Sequence, residues 1–206
     1  MPEALMVVVA FICGSLPFSY WLGKLALHGT DVRQVGDGNP GATNVLRAGG
    51  WQLGLLALIL DVTKGALPVG LAYQVFGMRG FGMGLIALAP TLGHAFSPFL
   101  GWRGGKALAV TLGVWIGLAL HQVSLPILIF LTFWFAIFAV DGWAVLFTIL
   151  SVFGYLVVFY PDPLFLSILA AQSVIILWKH REDLAKRPTF RRQLAGLLKG
   201  KKGSEN

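Results

Sequence analysis

The chain has 206 residues, of which 56% are hydrophobic and 12% are charged, and it carries a formal net charge of +7. Soluble domains carry about twice this share of charged side chains, so the composition excludes an ordinary soluble enzyme or binding domain. It predicts a polytopic membrane protein.

Seven apolar segments are predicted to span the membrane, since each is close to the ~20 residues that a helix needs to cross a bilayer. The first has neither a basic start nor a small-residue cleavage site, so we expect a retained helix and not a signal peptide. The predicted architecture is all-α, with one transmembrane domain at residues 1–180, its first loop at 28–51 and a basic tail at 181–206. The predicted spans are residues 4–27, 52–76, 81–99, 105–120, 123–140, 142–160 and 163–180.

Basic residues predict the orientation of these spans. The segment after Trp178 holds nine lysines and arginines against three acids, and such a tail stays in the cytoplasm. With seven spans the N-terminus then lies outside, and Arg33, Arg47 and Lys106 fall on the cytoplasmic side. Basic tails also bind nucleic acid, but in a membrane protein anionic lipid and topology account for them. We therefore predict contact with membrane lipid and no nucleic-acid partner, and the sequence points to no protein partner.

The longest polar interruption, residues 36–47, follows the first span. Its glycines allow a turn in which successive backbone N–H groups converge on an anion. Asn39-Pro40 predicts a helix start, with the asparagine as N-cap and the proline at the first helical position, and Gly49-Gly50 predicts the end of this short helix. Arg47 adds a planar cation suited to a phosphate or carboxylate. A glycine-rich connecting loop would explain the same composition, and the segment lacks the P-loop ending and preceding strand of nucleotide sites.

Two charged residues lie inside the second span, where charge is costly. At ~1.5 Å per residue, Asp61 and Lys64 are roughly 13 to 18 Å from its start, near the middle of the bilayer. Their i,i+3 spacing places them on one helix face, where they can pair. The sequence leaves two interpretations open, a self-neutralised pair that orients the helix and a pair with a functional role.

His94 lies near the end of the third span, shortly before Pro98, which breaks the helix. The predicted orientation brings this histidine to the cytoplasmic face, level with residues 36–47. Gly104-Gly105 allows a tight turn with exposed N–H groups, and Lys106 adds a compact cation. An isolated interfacial histidine is more often structural, but a phosphate-type turn beside it favours a functional role.

Together these segments resemble the bacterial acyl-phosphate-dependent glycerol-3-phosphate acyltransferases, small seven-span enzymes of the inner membrane. The resemblance covers most of the chain. It rests on Gly14-Ser15-Leu16-Pro17, Asp31-Val32-Arg33, residues 36–47, residues 60–65, residues 93–99, Gly104-Gly105-Lys106 and His180-Arg181-Glu182.

The resemblance implies acyl transfer from an acyl phosphate to the 1-hydroxyl of glycerol 3-phosphate, giving lysophosphatidic acid and inorganic phosphate without metal, nucleotide, coenzyme A or other cofactor. It also implies an active site on the cytoplasmic side of the bacterial inner membrane. His94 would orient the acceptor hydroxyl or act as general base, Asn39 and its neighbouring backbone would hold the acyl phosphate, and Asp37 is a further candidate base. Substrate binding would involve Gly38, Gly41, Thr43, Asn44, Arg47, Lys64, Gly104, Gly105, Lys106 and His180.

Three positions depart from the family pattern. Asp37 stands where the family has serine, Asp183 stands where it has asparagine, and Asp141-Gly142-Trp143 replaces a serine-bearing turn. Because acids beside phosphates are unfavourable unless protonated or paired, one alternative is an acyltransferase paralogue with a different hydroxyl acceptor. A second alternative, from another class, is a small transporter that uses Asp61 and Lys64 as a coupling pair, although the sequence contains no evident internal repeat.

Overall fold

The computed structural model describes residues 2–27 and 29–191, so His28 and the part of the predicted tail at 192–206 lie outside the described residues. Within them the fold is all-α, as predicted, and β-pairing is limited to one bridge between Phe138 and Phe190. The α-helices of the described residues are α1 (Glu3–Ser15), α2 (Phe18–Ala26), α3 (Ala42–Gly70), α4 (Gly80–Ala95), α5 (Leu108–Ala119), α6 (His121–Ile137), α7 (Asp141–Phe159), α8 (Pro163–Lys179) and α9 (Arg181–Leu184).

Four described segments are long and apolar enough to cross a membrane, namely Glu3–Ala26, Ala42–Val75, Gly80–Leu100 and Asp141–Phe159. The helices α5, α6 and α8 are apolar but shorter, with 12, 17 and 17 residues. Most of α5 is buried against other helices, so a short helix here exposes little backbone to lipid. Each of the seven predicted segments is helical, and their number as full spans stays a prediction.

The first predicted span is two helices and not one, which corrects the sequence interpretation. Pro17 lacks an N–H and biases Leu16 away from helical geometry, and Leu16 accordingly lies at φ −60° and ψ 118° between α1 and α2. Carbonyls at a helix C-terminus have no partner within the helix. Here the Leu16 carbonyl accepts a hydrogen bond from Lys64 Nζ at 2.7 Å, and the Ser15 carbonyl accepts one from Ser97 Oγ at 2.6 Å.

The helix start predicted at Asn39-Pro40 is displaced by two residues. Helix α3 begins at Ala42 with Gly41 as its N-cap residue, because the Asn39 side chain is engaged elsewhere, with the backbone N–H of Lys106. The predicted break at Gly49-Gly50 is present. Gly50 has φ +81°, a left-handed conformation that favours glycine, and the chain then continues directly into the long apolar part of α3.

Glycines let two helix pairs approach closely, as in many membrane bundles. Between α1 and α4, a Cβ on Gly14 would collide with the backbone of Pro90, and one on Gly93 would collide with the Phe11 carbonyl. Between α3 and α5, Gly65 meets the Val110 backbone in the same way. Such contacts fix α4 and α5 against their neighbours, and these two helices carry the residues that follow.

Buried polar side chains join α4, α5 and α8 in the centre of the bundle. The indole N–H of Trp115 donates to Gln172 Oε1 at 3.0 Å, and Gln172 Nε2 lies 3.2 Å from Thr91 Oγ1. All three residues are buried, so the amide is paired on both of its ends, as an interior amide needs to be.

The segments before α3, between α4 and α5, and after α8 all meet at one end of the bundle. The first residues of the predicted tail also pack there, since Ala139 N–H donates to the Thr189 carbonyl at 2.8 Å. The turn at Gly77–Arg79 joins the end of α3 to the start of α4, and the turn at Tyr160–Asp162 joins α7 to α8. In the predicted topology both turns lie on the opposite side of the membrane. This arrangement is compatible with the predicted orientation, in which the end that gathers Arg33, Arg47 and Lys106 is cytoplasmic.

Cysteine labelling tests that orientation. In a Cys13→Ala background, we expect cysteines at the exposed positions Gln34 and Arg187 to resist a membrane-impermeant maleimide in intact cells and to react after permeabilisation, whereas a cysteine at the exposed Pro161 should react in intact cells. The positive-inside distribution of lysine and arginine is the reason. Labelling of the Gln34 or Arg187 position from outside would reverse the topology.

Candidate active site

Three segments that are distant in sequence meet at Lys106. Its Nζ lies 2.8 Å from Asp37 Oδ2, in the segment before α3, and 2.7 Å from Asp183 Oδ2, in α9. Its backbone N–H donates to Asn39 Oδ1 at 3.1 Å. Backbone and side chain of one residue therefore join the first loop, the α4–α5 turn and α9.

The first loop is folded around Asn44, which is buried at the start of α3. Its Nδ2 donates to Asp37 Oδ1 at 3.0 Å and to the Asn39 carbonyl at 2.9 Å, and its Oδ1 accepts a hydrogen bond from Arg47 at 3.1 Å. Gly36 has φ +61°, and a Cβ there would collide with the Arg47 guanidinium. The loop thus holds Asp37 and Arg47 in place from the same asparagine.

The imidazole of His94 lies against Gly105 and close to Asn39. A Cβ on Gly105 would collide with His94 Nε2 and lie 3.2 Å from Asn39 Oδ1, so only glycine allows this approach. The expectation of free N–H groups in the Gly104-Gly105 turn is wrong for Gly105, whose N–H donates to the His94 carbonyl at 3.1 Å. That bond closes the turn and brings the following Lys106 to the first loop.

The buried charges of α3 lie beside this histidine. Lys64 Nζ is 2.7 Å from Asp61 Oδ1, and both side chains are 2% exposed, which confirms the predicted pairing. Asp61 Oδ2 accepts a hydrogen bond from Ser19 Oγ at 2.5 Å. A cavity of about 10 Å³, room for roughly one water molecule, is lined by Ser15, Pro17, Pro40, Asp61, Lys64, His94, Ser97, Leu100 and Gly105.

His180 is the C-cap residue of α8, and one nitrogen of its buried imidazole has no hydrogen-bond partner among the described residues. Its Nδ1 lies 2.8 Å from the Ile176 carbonyl, so Nδ1 carries the hydrogen and Nε2 carries the lone pair. Nε2 is buried and has no hydrogen-bond partner among the described residues. A buried acceptor of this kind suits a hydroxyl or N–H donor supplied by a ligand.

Lys179 was counted in the sequence only as one of the tail cations, yet it completes the α4–α5 turn. Its Nζ donates to the carbonyls of Ala95 and Gly104, both at 2.9 Å. A cation at the end of an apolar span was the available signal, but the identity of its acceptors depends on packing between α4 and α8. Of the other predicted site residues, Gly38 lies in the first loop at φ +73° and Thr43 is exposed in the first turn of α3.

The two acids around Lys106 are held as anions. Burial by itself would raise the pKa of Asp37, but the hydrogen bond and charge of Lys106, with the N–H of Asn39 and the amide of Asn44, lower that pKa below its usual value. At Asp183, burial likewise raises the pKa, while the hydrogen bonds and charges of Lys106 and Lys186 lower it. The resulting pKa of Asp183 is below its usual value. Within residues 2–27 and 29–191, no three His, Cys, Asp or Glu side chains gather as metal ligands.

Comparison with known proteins gives a consistent result. Residues 4–187 match the sequence model of the family described as glycerol-3-phosphate acyltransferase. The glycerol-3-phosphate acyltransferase of Desulfovibrio desulfuricans is 36% identical over 194 residues, which cover 90% of this chain and 82% of the relative. That of a Wolbachia endosymbiont of Brugia malayi is 36% identical over 186 residues, covering 89% and 94%.

The fold has a counterpart among solved structures. The crystal structure of PlsY (YgiH), described as an integral membrane glycerol 3-phosphate acyltransferase in its glycerol 3-phosphate form, superposes with a TM-score of 0.82 at 32% identity. The match covers 95% of this chain and 98% of that one. The present chain therefore has the fold of an integral membrane protein.

The ion pairs of Lys106 predict a pH-dependent stability. Because the folded-state pKa values of Asp37 and Asp183 lie below their unfolded values, their contribution is complete above about pH 4 and is lost as the pH falls through the lowered values. Lys106→Met should reduce the fall in melting temperature between pH 5 and pH 3, measured on detergent-solubilised protein.

Arg103→Met is the matched control for this measurement. Arg103 lies in the same turn, carries the same charge and forms no ion pair among the described residues, so its loss should leave the pH dependence as in the wild type. Equal pH dependence of the melting temperature in the Lys106→Met and wild-type proteins would argue against the two ion pairs.

Proposed function

The chain belongs to the glycerol-3-phosphate acyltransferase family, and we propose that it transfers the acyl group of an acyl phosphate to the 1-hydroxyl of glycerol 3-phosphate. An ester bond forms between the acyl carbon and the hydroxyl oxygen, the bond from that carbon to the phosphate oxygen breaks, and lysophosphatidic acid and inorganic phosphate leave. Because a mixed anhydride is already activated, the protein has to position two substrates and stabilise the negative charge that develops.

The proximity of Asn39, His94, Gly105 and Lys106 is the observation that carries this proposal. Asn39 Oδ1 is occupied by the N–H of Lys106, whereas its Nδ2 makes no hydrogen bond among the described residues and could donate to the carbonyl or phosphate of the donor. That nitrogen would lie 2.8 Å from a Cβ on Gly41, the N-cap of α3. The positive end of α3, with the backbone near Gly38 and Thr43, would attract the same anion.

The acceptor is assigned to the cations and to His180. Arg47 and Lys106 would bind the phosphate of glycerol 3-phosphate, with Asn44 holding the Arg47 guanidinium. The buried Nε2 of His180 would accept a hydrogen bond from an acceptor hydroxyl. This accounts for a nitrogen that has no partner among the described residues.

We assign proton abstraction to His94 in preference to Asp37. Both oxygens of Asp37 are already engaged, Oδ2 by Lys106 and Oδ1 by the Asn39 N–H and the Asn44 amide, so neither is available to receive a proton from a substrate hydroxyl. His94 Nε2 faces Gly105 beside Asn39, where it can orient the acceptor hydroxyl and receive its proton. The role left to Asp37 is to hold the Lys106 ammonium group in place through its negative charge.

Lys64 and Gly104 are assigned supporting roles. The Gly104 carbonyl accepts a hydrogen bond from Lys179 at 2.9 Å. Lys64 holds the open end of α1 through the Leu16 carbonyl and lines the small cavity next to His94.

A transporter that uses Asp61 and Lys64 as a coupling pair finds no support in this arrangement, because both side chains are buried against each other and against protein groups. The other alternative, that this chain is a paralogue with a different hydroxyl acceptor, would use the same site, where Asp37 and Asp183 contact Lys106.

We further propose seven spans in the bacterial inner membrane, with the site at the cytoplasmic end. A long-chain acyl phosphate and lysophosphatidic acid both carry an apolar chain and an anionic head group. A site at the end of the bundle, where cations and helix N-termini meet apolar helices, suits substrates with one part in lipid and one part in water.

The reaction is tested with purified protein, an acyl phosphate and glycerol 3-phosphate, by following phosphate release and lysophosphatidic acid. Both products should require both substrates. Arg47→Ala should lower kcat/KM for glycerol 3-phosphate by about tenfold to a hundredfold, the loss expected for a charge-assisted hydrogen bond.

Arg103→Ala removes a cation that is also exposed, from the turn between α4 and α5, and should leave the kinetics close to those of the wild type. If wild-type protein releases phosphate faster with glycerol than with glycerol 3-phosphate, the proposed acceptor is incorrect. If Arg47→Ala behaves like Arg103→Ala, the phosphate role of Arg47 is refuted.

A further inference from the structure

The cation that the proposed function assigns to a substrate phosphate already has two carboxylate partners. Lys106 Nζ lies 2.8 Å from Asp37 and 2.7 Å from Asp183, so these three side chains carry a net charge of −1. A phosphate that approaches Lys106 brings further negative charge to the same place. Like charges repel at this distance in a partly buried site, so a phosphate at Lys106 competes with these carboxylates for its ammonium group.

The two carboxylates are held differently. The second oxygen of Asp37 accepts hydrogen bonds from the Asn39 N–H and the Asn44 amide, which tie it to the first loop. The second oxygen of Asp183 accepts from Lys186 at 2.9 Å, and Lys186 is 63% exposed on the neighbouring turn. Asp37 is therefore fixed, whereas Asp183 has an alternative cationic partner outside the site.

We propose that Asp183 is a specificity-determining residue, which competes with the phosphate of the acceptor for Lys106 and stays with Lys186 when the phosphate takes its place. This inference rests on the proposed function of the site. Asp183 thereby sets how much negative charge the acceptor site tolerates. An uncharged acceptor such as glycerol requires no exchange of partners, so Asp183 discriminates against phosphorylated acceptors relative to neutral ones.

The packing around Asp183 leaves room for its side chain. A Cβ on Gly142, at the start of α7, would lie 2.8 Å from Asp183 Cβ, so glycine at that position gives the side chain its room. Replacement by asparagine keeps the volume and leaves an oxygen that can accept from Lys106. Asp183→Asn thus removes the charge with little change of shape.

The experiment compares Asp183→Asn with Glu182→Gln. Both remove one negative charge from α9, but Glu182 is exposed and contacts Arg181 at 3.7 Å, not Lys106. Binding of glycerol 3-phosphate to solubilised protein is measured by calorimetry, and KM is measured for glycerol 3-phosphate and for glycerol with the same acyl phosphate. Melting temperatures show that each variant is folded.

Asp183→Asn should tighten glycerol 3-phosphate binding and lower its KM by about twofold to fivefold, the range of one partly exposed charge pair. The KM for glycerol and the kinetics of the Glu182→Gln protein should stay near wild type. Lys186→Met, which removes the alternative partner, should weaken binding. Equal effects of Asp183→Asn and Glu182→Gln would overturn the proposal. Weaker binding of glycerol 3-phosphate by the Asp183→Asn protein would also overturn it, because Asp183 would then contact the acceptor directly.

The outcome is separable from that of the proposed function. If the wild type forms no lysophosphatidic acid but Asp183→Asn tightens glycerol 3-phosphate binding, the competition for Lys106 stands and the reaction does not. If the wild type forms lysophosphatidic acid and Asp183→Asn leaves binding and KM unchanged, the reaction stands and the competition does not.

Discussion

Backbone groups that leave a helix inside a membrane protein need partners from the protein, because lipid offers none. This chain breaks its helices at Leu16-Pro17 and between α4 and α5, and side chains from distant helices satisfy the breaks. Lys64 binds the Leu16 carbonyl, Ser97 binds the Ser15 carbonyl, and Lys179 binds the carbonyls at the end of α4 and in the α4–α5 turn. The lysines and the serine that pair with these carbonyls therefore lie close to the proposed binding site for the phosphorylated substrates.

The same breaks position the candidate site residues. The turn after α4 closes through the N–H of Gly105 on the His94 carbonyl and places Lys106 against the first loop. Close glycine contacts between α1 and α4 and between α3 and α5 keep the supports of this turn rigid. The ion pairs of Lys106 then join three segments that no helix packing would bring to one point, and the rigid helices below hold them at hydrogen-bond distance.

Much of this arrangement was predictable from the sequence. Apolar segments bounded by glycine, proline and aspartate place α4 to α8 within a few residues, because helix ends follow local chemistry. The pairing of Asp61 with Lys64 follows from their spacing, and the break at Gly50 follows from its glycines. The division of the first span was missed, although Pro17 was visible, because an apolar run of bilayer length outweighed one proline.

What could not be predicted depends on contacts between distant segments. Asn39 has the sequence context of an N-cap, but its side chain binds Lys106 in another segment. Asp37 and Asp183 appeared as two separate departures from the family pattern, and nothing in their spacing indicates that both contact one lysine. Lys179 was one cation among nine. Tertiary contacts decided each of these cases, and no local pattern records them.

We propose that the acceptor phosphate binds where the three segments meet, with Lys106 at the centre. The most direct measurement is a crystal structure of the protein with bound glycerol 3-phosphate. This placement of the acceptor predicts a phosphate within hydrogen-bond distance of Lys106 Nζ and the Arg47 guanidinium, with Asp183 turned to Lys186. A phosphate bound away from Lys106, with both carboxylates still on that lysine, would contradict it.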